Sequence, residues 1–182
     1  MSGFRKLDER EVWRGAVVSA GVGRYEAPDG TVFERDVVHH PGAVVVVPVL
    51  DGGATVLLVR QYRSPIDAEL LELPAGKRDV TGEPPEVTAA RELEEEVGMR
   101  AGRLQKLGEY FNSPGFCDEH SHLFMGLDLE ECATSFQGVE EIHMTIVRVA
   151  LADVPAMIAS GAIVDAKTII GLLLAREALS GT

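Results

Sequence analysis

Four glutamates within five residues are the feature of this sequence best suited to chemistry: Glu92, Glu94, Glu95 and Glu96. On a helix that turns by about 100° per residue, with Glu92 at zero, Glu95 falls near 300° and Glu96 near 40°. Three carboxylates therefore share an arc of about 100°, and Glu94 alone points elsewhere. Like charges at this spacing repel each other. A divalent cation would compensate them, and Mg²⁺ or Mn²⁺ suits a set of oxygen ligands.

The flanking residues predict where this helix begins and ends. Glu83-Pro84-Pro85 supplies an acid and then prolines where a helix starts. Gly98 directly follows the acids, at the position of a left-handed cap. Arg91 precedes the cluster and can orient or neutralise a carboxylate. A solvated acidic helix face is the alternative interpretation, and it is the usual one for a charge run in an acidic protein.

Strand and helix patterns surround this acidic helix. Two strand pairs are predicted, each around a Gly-containing turn: 17–25 with 32–39, and 43–50 with 55–61. The later elements are predicted strands near 103–111, 121–129 and 142–149, and helices near 153–160 and 166–179. Strands first, then a helix, more strands and terminal helices indicate a mixed α/β layered domain.

Composition and charge exclude several classes of protein. The 182 residues are 46% apolar and 25% charged, which is typical of a globular domain. A net charge of −12 disfavours a nucleic-acid or anionic-membrane partner, since both require clustered Lys and Arg. Cys117 and Cys132 lack zinc-site spacing and form no disulfide framework. The start lacks a hydrophobic signal segment, and the apolar run 43–50 is too short to span a bilayer, so we expect a cytoplasmic protein.

The segment from Glu83 to Met99 resembles the Nudix box, G-x5-E-x7-R-E-U-x-E-E-x-G-U, in which U is a bulky apolar residue. Every specified position from Glu83 onward is matched. The leading glycine departs from the pattern, because six residues instead of five separate Gly76 from Glu83, and we expect Gly82 to absorb the extra residue in the loop. The resemblance implies an α/β/α sandwich around a mixed sheet, and hydrolysis of a nucleoside diphosphate linked to another moiety by attack of water on phosphorus.

The resemblance also implies a role for each residue of the motif. The implied metal ligands are Glu92, Glu96, Glu95 and the main-chain carbonyl of Ala75. The implied structural positions are Gly76, Glu83, Arg91 and Gly98, with Glu83 as the partner of Arg91. Glu95 is also a candidate catalytic residue. Metal ions would bridge the carboxylates and the phosphate oxygens, and a carboxylate would remove a proton from the attacking water.

A second segment, SPGFCDE at 113–119, resembles the S-P-G-x-[ST]-[DE]-E signature of the ADP-ribose pyrophosphatase branch. Pro114 lies sixteen residues beyond Gly98, as it does in that branch, and Cys117 stands where the branch often has Ser or Thr. With ERDVV at 34–38 and QYR at 61–63 also in family order, the resemblance covers residues 13–174. It implies that ADP-ribose and water give AMP and ribose 5-phosphate.

The branch takes its catalytic base from a loop well after the box, and QGVEE at 137–141 occupies that place. We expect Glu141 to be the base or a late metal ligand, with Glu140 as the close alternative. A Gly-containing loop between strands can close over a bound substrate. An exposed acidic loop is the competing interpretation for either residue.

Arginines at a strand end are candidates for binding phosphate. Arg60 and Arg63 end a strand ahead of the box and carry planar cations suited to phosphate, although a solvated strand end is the simpler interpretation. The branch resemblance adds further substrate-binding candidates: Arg35, Gly115, Phe116 and Glu119. Three N-terminal aromatic residues could stack on adenine or belong to a core or dimer interface: Trp13, Tyr25 and Phe33.

The resemblance further implies a homodimer. Residues 1–40 would form an N-terminal strand pair for dimerisation and the nucleoside pocket, and 41–182 would form the hydrolase domain. A GDP-sugar, NADH or a flavin dinucleotide could replace ADP-ribose as the substrate. A Nudix domain that binds such ligands without hydrolysing them is the alternative from another class, and the intact set of three glutamates favours the enzyme.

Overall fold

The computed structural model describes residues 3–134 and 142–181 and divides the chain into two units. The first unit contains Met1–Gly42 together with Tyr110–Ser121, and the second contains Ala43–Glu109 together with His122–Thr182. The boundary predicted after residue 40 falls close to the end of the first segment. The inclusion of Tyr110–Ser121 was not predicted, because this segment is distant in sequence from the N-terminal strands.

The first unit is built on a three-stranded antiparallel sheet in the order β1-β2-β3. Its strands are β1 (Arg5–Arg14), β2 (Ser19–Glu26) and β3 (Val32–His39). The predicted strand pair corresponds to β2 and β3, and the turn between them places Gly30 at a φ of +84°, which glycine adopts without strain. The strand β1 is additional, so the N-terminal element is a sheet of three strands and not a pair.

The second unit contains a mixed sheet of seven strands. Five strands lie in the order β10-β5-β4-β9-β8, while β6 pairs with β5 and β7 pairs with β4. The strands are β4 (Ala43–Leu50), β5 (Thr55–Arg63), β6 (Ala68–Glu72), β7 (Ala75–Lys77), β8 (Met99–Phe111), β9 (His120–Glu131) and β10 (Thr145–Ala150), of which the last two residues of β8 and the first two of β9 belong to the first unit. The short strands β6 and β7 were not predicted, because five and three residues are too few to show a clear strand pattern.

Among the described residues, the helices of the second unit include α1 (Pro85–Val97), α2 (Val154–Ala159) and α3 (Ala166–Ser180). Side chains alternate across a strand, so Val46 and Val47 of β4 face opposite sides of the sheet. Leu93 of α1 belongs to the same buried cluster as Val46. On the other side, a Cβ on Gly171 of α3 would lie 3.4 Å from Val47 and only 2.4 Å from Leu73. Helices therefore cover both faces, which confirms the predicted α/β/α sandwich.

The core of this sandwich is centred on β4. The strand is buried from Ala43 to Val49, as expected for a continuous apolar run covered on both faces. Leu93 is fully buried against it, so Leu93→Ala would cost about 2–5 kcal/mol of stability. Within residues 3–134 and 142–181, no helix is long and apolar enough to cross a membrane.

Candidate active site

The acidic helix α1 lies where the sequence predicted it. Pro85 occupies its first turn, and Gly98 ends it in the left-handed conformation, with φ 64° and ψ 35°. Ala89, Leu93 and Val97 are buried on the side that faces the sheet. Because these three anchors fix the rotation of the helix, the register of its glutamates is fixed as well.

Glu92 packs directly on the backbone of the turn that precedes the helix. A Cβ built on Gly76 would lie 1.8 Å from Cδ of Glu92 and 2.2 Å from its Oε1. Any residue other than glycine at this position would therefore collide with the carboxylate. Gly76 lies in β7, paired with Val44 of β4, so the turn has little freedom to move away. The glycine is needed for close approach, since its φ is not positive.

Glu96 contacts the same turn one residue earlier. Its Oε2 accepts a hydrogen bond of 3.0 Å from the backbone N–H of Ala75, and the residue is only 4% exposed. Glu92 and Glu96 therefore reach neighbouring residues of one turn from successive turns of α1. The Nudix resemblance implies that the carbonyl of Ala75 belongs to the same site, and the structure places the N–H of this residue beside the Glu96 carboxylate.

Arg91 links the remaining acids of the motif. Its Nη1 lies 2.9 Å from Oε1 of Glu92 and 3.2 Å from Oε2 of Glu95, and its Nη2 lies 3.6 Å from Oε2 of Glu83. Burial alone would lower the pKa of Arg91, but the three carboxylates outweigh it and raise the pKa above its usual value. The guanidinium therefore stays charged and offsets part of the repulsion between the glutamates.

Glu83 lies at the start of the motif, two residues before α1 begins at Pro85. Its Oε2 accepts a hydrogen bond of 2.6 Å from the hydroxyl of Thr88 and faces Arg91. Gly82, before it, has a φ of +80°, in a turn closed by a 3.2 Å hydrogen bond from the N–H of Glu83 to the carbonyl of Val80. That Gly82 absorbs the extra loop residue stays a prediction.

Glu94 differs from the other glutamates of α1. Its carboxylate pairs with Arg100, with Oε1 lying 2.8 Å from Nε. Hydrogen bonding to Arg100 lowers the pKa of Glu94. The predicted helical angles are therefore correct for this residue, which points away from Glu92, Glu95 and Glu96.

The donor set fits a hard divalent cation. Its ligand atoms are carboxylate oxygens, the Glu96 carboxylate is buried, and the close packing of Glu92 on Gly76 keeps the side chain at the turn. These are the properties that Mg²⁺ and Mn²⁺ select. Glu92, Glu95 and Glu96 could hold such an ion, together with the carbonyl of Ala75.

Of the two arginines at the end of β5, Arg63 is held by an ion pair, whereas Arg60 is exposed to solvent. Arg63 forms a two-pronged ion pair with Glu72 of β6, at 2.7 Å from Nε and 2.6 Å from Nη2. Glu72 is fully buried, whereas the Arg63 side chain is 39% exposed. Burial alone would raise the pKa of Glu72, but Arg63 and Lys167 outweigh it and lower the pKa.

The first unit contains a cavity of about 400 Å³. Five predicted residues line it, namely Arg35, Gly115, Phe116, Tyr25 and Phe33, and its other lining residues are Asp36, Val37, Phe111, Pro114, Cys117 and Asp118. Tyr25 stacks on Phe33 with ring centroids 5.7 Å apart, and the Arg35 guanidinium lies 4.7 Å from the centre of the Phe33 ring. Glu119 and Trp13 are not among the lining residues described.

His39 connects three parts of the first unit. Its Nδ1 lies 2.5 Å from Oδ2 of Asp118, and its Nε2 lies 2.6 Å from Oε1 of Glu9 in β1. Both ring nitrogens donate only when the imidazole is protonated. Hydrogen bonding to Asp118, and then to Glu9, accordingly raises the pKa of His39. This cluster, which we call the His39 clamp, joins β1 and β3 to the segment that lines the cavity.

The two candidate catalytic bases, Glu140 and Glu141, lie outside the described residues, so their roles stay predictions. Two charged residues, Glu72 and Lys167, were not predicted from the sequence. The signal for Glu72 was an acid inside the apolar run Leu70–Leu73, which indicates a buried and therefore paired carboxylate. For Lys167 only Asp165, at the N-cap of α3, pointed to a polar helix start.

An α/β/α sandwich whose acidic helix packs on a glycine turn defines the class of this protein, a Nudix hydrolase. The chain belongs to the NUDIX family, whose domain matches residues 39–168. It is 37% identical over 164 residues to the ADP-ribose pyrophosphatase of Bacillus subtilis (strain 168), covering 90% of this chain and 88% of that one. It is 35% identical over 178 residues to the ADP-ribose pyrophosphatase of Mycobacterium tuberculosis (strain ATCC 25618 / H37Rv), covering 98% and 86%.

Two further similarities extend over nearly the whole chain. The methanol dehydrogenase activator of Bacillus methanolicus is 35% identical over 179 residues, covering 96% of this chain and 95% of the relative. A solved structure described as an ADP compounds hydrolase superposes with a TM-score of 0.85 at 24% identity, covering 98% of this chain and 95% of that chain. The structural match confirms the fold.

Proposed function

We propose that this protein is an Mg²⁺-dependent ADP-ribose diphosphatase, which hydrolyses ADP-ribose to AMP and ribose 5-phosphate. The observation that carries this proposal is the gathering of Glu92 and Glu96 on the Ala75–Gly76 turn, with Glu95 held beside them by Arg91. The substrate class is supported by relatives named ADP-ribose pyrophosphatase that align with at least 90% of this chain.

In the proposed reaction, a water oxygen forms a bond to one phosphorus, and the bridging P–O bond breaks. One product keeps the adenosine and the other keeps the ribose, and the water proton passes to a carboxylate base. The chemistry that a bound Mg²⁺ supplies here is neutralisation of phosphate charge and a lower pKa for a coordinated water. Glu92, Glu95 and Glu96 would hold the ion, and Glu141, or alternatively Glu140, is the proposed base.

The cavity of the first unit is the proposed site for the adenine base. Its Tyr25 and Phe33 rings offer apolar faces, and Arg35 offers a planar cation. Such faces bind a flat heterocycle by stacking. Arg63 is the proposed diphosphate ligand of the second unit, and the solvent-exposed Arg60 is a weaker candidate.

We also infer that the protein is a homodimer formed through β1. This strand lies at the edge of the three-stranded sheet, so its outer backbone groups are available to a second chain. Phe4, which precedes β1, and Val12 and Trp13 within it, are each more than half exposed. Exposed apolar side chains along a strand edge favour association. The cytoplasmic location remains a prediction.

A substrate panel tests the proposed function. The kcat/KM of the purified protein is measured with Mg²⁺, and again with Mn²⁺, for ADP-ribose, GDP-mannose, NADH and flavin adenine dinucleotide. We expect the highest value for ADP-ribose with Mg²⁺. A higher value for GDP-mannose would assign a different substrate, and relatives named GDP-mannose pyrophosphatase make this the sharpest competitor. Binding without hydrolysis of any compound would assign a ligand-binding module.

A further inference from the structure

Four charged residues form a network around the buried carboxylate of Glu72: Arg63, Glu72, Asp165 and Lys167. Nζ of Lys167 contacts the Glu72 oxygen that also accepts from Nη2 of Arg63, and it lies 2.8 Å from Oδ1 of Asp165. The Lys167 side chain is only 16% exposed. Two cations and two carboxylates therefore balance one another in a part of the protein where an unpaired charge is costly.

The network is connected to the turn that holds Glu92 and Glu96. Asp165 caps α3 by accepting hydrogen bonds from Thr168, at 2.9 Å from its N–H and 2.6 Å from its hydroxyl. The Thr168 hydroxyl in turn accepts a 2.8 Å hydrogen bond from the N–H of Leu73. Leu73 directly follows Glu72 and precedes Pro74-Ala75. The start of α3 is therefore hydrogen-bonded to the chain segment that leads into the Ala75–Gly76 turn.

Arg63 is held by Glu72, which lies three residues before Ala75, the residue whose N–H donates to Glu96. Its pKa is raised first by hydrogen bonding to Glu72, and Glu96 is among the smaller contributors. Two of its five N–H donors bind Glu72, and the side chain remains 39% exposed. Part of the guanidinium is therefore accessible to a ligand.

Glu72 by itself would weaken Arg63 as a ligand for phosphate, because a buried carboxylate competes for the same positive charge. Lys167 changes this balance by sharing the Glu72 oxygen that Arg63 contacts. With Lys167 absent, Arg63 would face the charges of both Glu72 and Asp165 alone. With Lys167 present, the acids are matched by two cations, and Arg63 keeps attraction for an anion.

We propose that Lys167 is a positioning residue for the diphosphate: through Glu72 it fixes the orientation of Arg63, and it offsets the carboxylate charge that would weaken the attraction of Arg63 for the substrate. The proposal deepens the proposed function, since it concerns the diphosphate part of the same substrate. It predicts that the contribution of Lys167 to ligand binding depends on Arg63. A residue that only stabilised the fold would contribute equally whether or not Arg63 were present.

A double-mutant cycle with ADP and Mg²⁺ tests this, using the Kd from isothermal titration calorimetry of the full chain. We expect Arg63→Gln to weaken ADP binding about ten- to a hundredfold, as for a lost charge-assisted hydrogen bond. Lys167→Met should weaken it about three- to tenfold in the native background and by less than about twofold in the Arg63→Gln background. Lys167→Arg, which keeps the charge, should retain most of the affinity.

Lys106→Met is the matched control, since Lys106 is an exposed lysine of β8, and it should bind ADP like the native protein. If Lys167→Met does not fold, as judged by circular dichroism, Lys167→Gln replaces it, because Gln can still donate to Glu72. Equal weakening in both backgrounds, no weakening, or absence of ADP binding by the native protein would each overturn the proposal. Coupling between the two residues in a protein that does not hydrolyse ADP-ribose would uphold the role of Lys167 and refute the proposed activity.

Discussion

Glu96 combines two properties that a metal ligand needs, namely a buried position and a fixed orientation. The N–H of Ala75 holds one of its oxygens, so little ordering is required when a cation binds. We predict that Glu96→Gln lowers kcat for ADP-ribose by roughly a hundredfold or more, because a bound metal contributes several kcal/mol to the transition state. The measurement is steady-state kinetics in Mg²⁺, with circular dichroism to confirm folding.

Glu94→Gln is the matched control for this substitution, since Glu94 lies on the same helix and pairs with Arg100. Its kcat should stay within about twofold of the native value, as for a surface substitution away from the site. Relief of repulsion should leave the Tm of Glu96→Gln, measured without metal, unchanged or higher. Near-native activity of Glu96→Gln would show that the metal site lies elsewhere.

Gly76 permits the position of Glu92 only because it lacks a side chain. In Gly76→Ala, the new Cβ would lie 1.8 Å from Cδ of Glu92, so the carboxylate must swing away from the turn. We therefore predict a higher Mg²⁺ concentration for half-maximal activity, by about tenfold or more for one displaced ligand. Activity measured against Mg²⁺ concentration gives this value.

The control for the glycine is Gly108→Ala, because the nearest atom to its new Cβ would be 4.0 Å away. It should show the native dependence on Mg²⁺. A native dependence in Gly76→Ala as well would mean that Glu92 is not a ligand, whatever the change in Tm.

At the scale of elements, the sequence predicted those whose signals are local. The helix α1 was predictable because its cap, its prolines and its buried positions lie within about four turns, and β4 because a continuous apolar run is typical of a buried strand. The strand β1 was not predictable, since it is mostly exposed and charged. Cross-strand ion pairs support it, such as Arg5 with Glu26 at 2.6 Å and Asp8 with Arg24 at 2.9 Å.

The same limit applies to the candidate site. The box residues act on each other over three or four positions, so their grouping follows from helical geometry. Lys167 and Glu72 are 95 residues apart, and only the packing of α3 beside β6 brings them together. The predicted pairing of Arg63 with phosphate also overlooked Glu72, because a single sequence does not specify which buried acid a cation will meet.

The His39 clamp should make the stability of the first unit depend on pH. The pKa of His39 is raised above 6.5, so its contribution is complete below about pH 6.5 and is lost as the pH rises through the folded value. The pKa of Glu9, lowered first by Lys6 and then by His39, falls below 4.5, and its contribution is lost as the pH falls through that lower value. Burial opposes the lowered pKa of Asp118, but His39 outweighs it.

We therefore predict that His39→Gln lowers the Tm relative to the native protein at about pH 6, where the imidazole is charged, and that the difference closes by about pH 9. Thermal unfolding at a series of pH values between these limits measures the difference. His143→Gln is the control, because His143 is an exposed histidine outside the clamp. A difference in Tm that is the same at every pH would mean that His39 acts through packing and not through charge.

At the scale of the whole molecule, the negative net charge disfavours binding of the proposed substrate, which is an anion. A chain with a net charge of −12 repels a diphosphate at a distance, and the attraction must come from local cations. Arg91 and Arg63 are both held by carboxylates, so these two cations have fixed positions in the second unit. Bound metal would add further positive charge at the same place.

The proposed dimer gives a prediction for the intact molecule. Trp13 is 56% exposed in β1, at the edge of the sheet, and burying such a ring in a dimer interface contributes about 2 kcal/mol or more. We predict that the native protein has twice the monomer mass by light scattering after size exclusion. Trp13→Ser should raise the dimer Kd by about thirtyfold or more.

Trp13→Phe, which keeps a large apolar ring, should remain dimeric. Val164→Ser, which removes an exposed apolar side chain of the second unit, should not change the mass. A monomeric native protein, or a Trp13→Ser variant as dimeric as the native protein at low micromolar concentration, would exclude β1 as the interface.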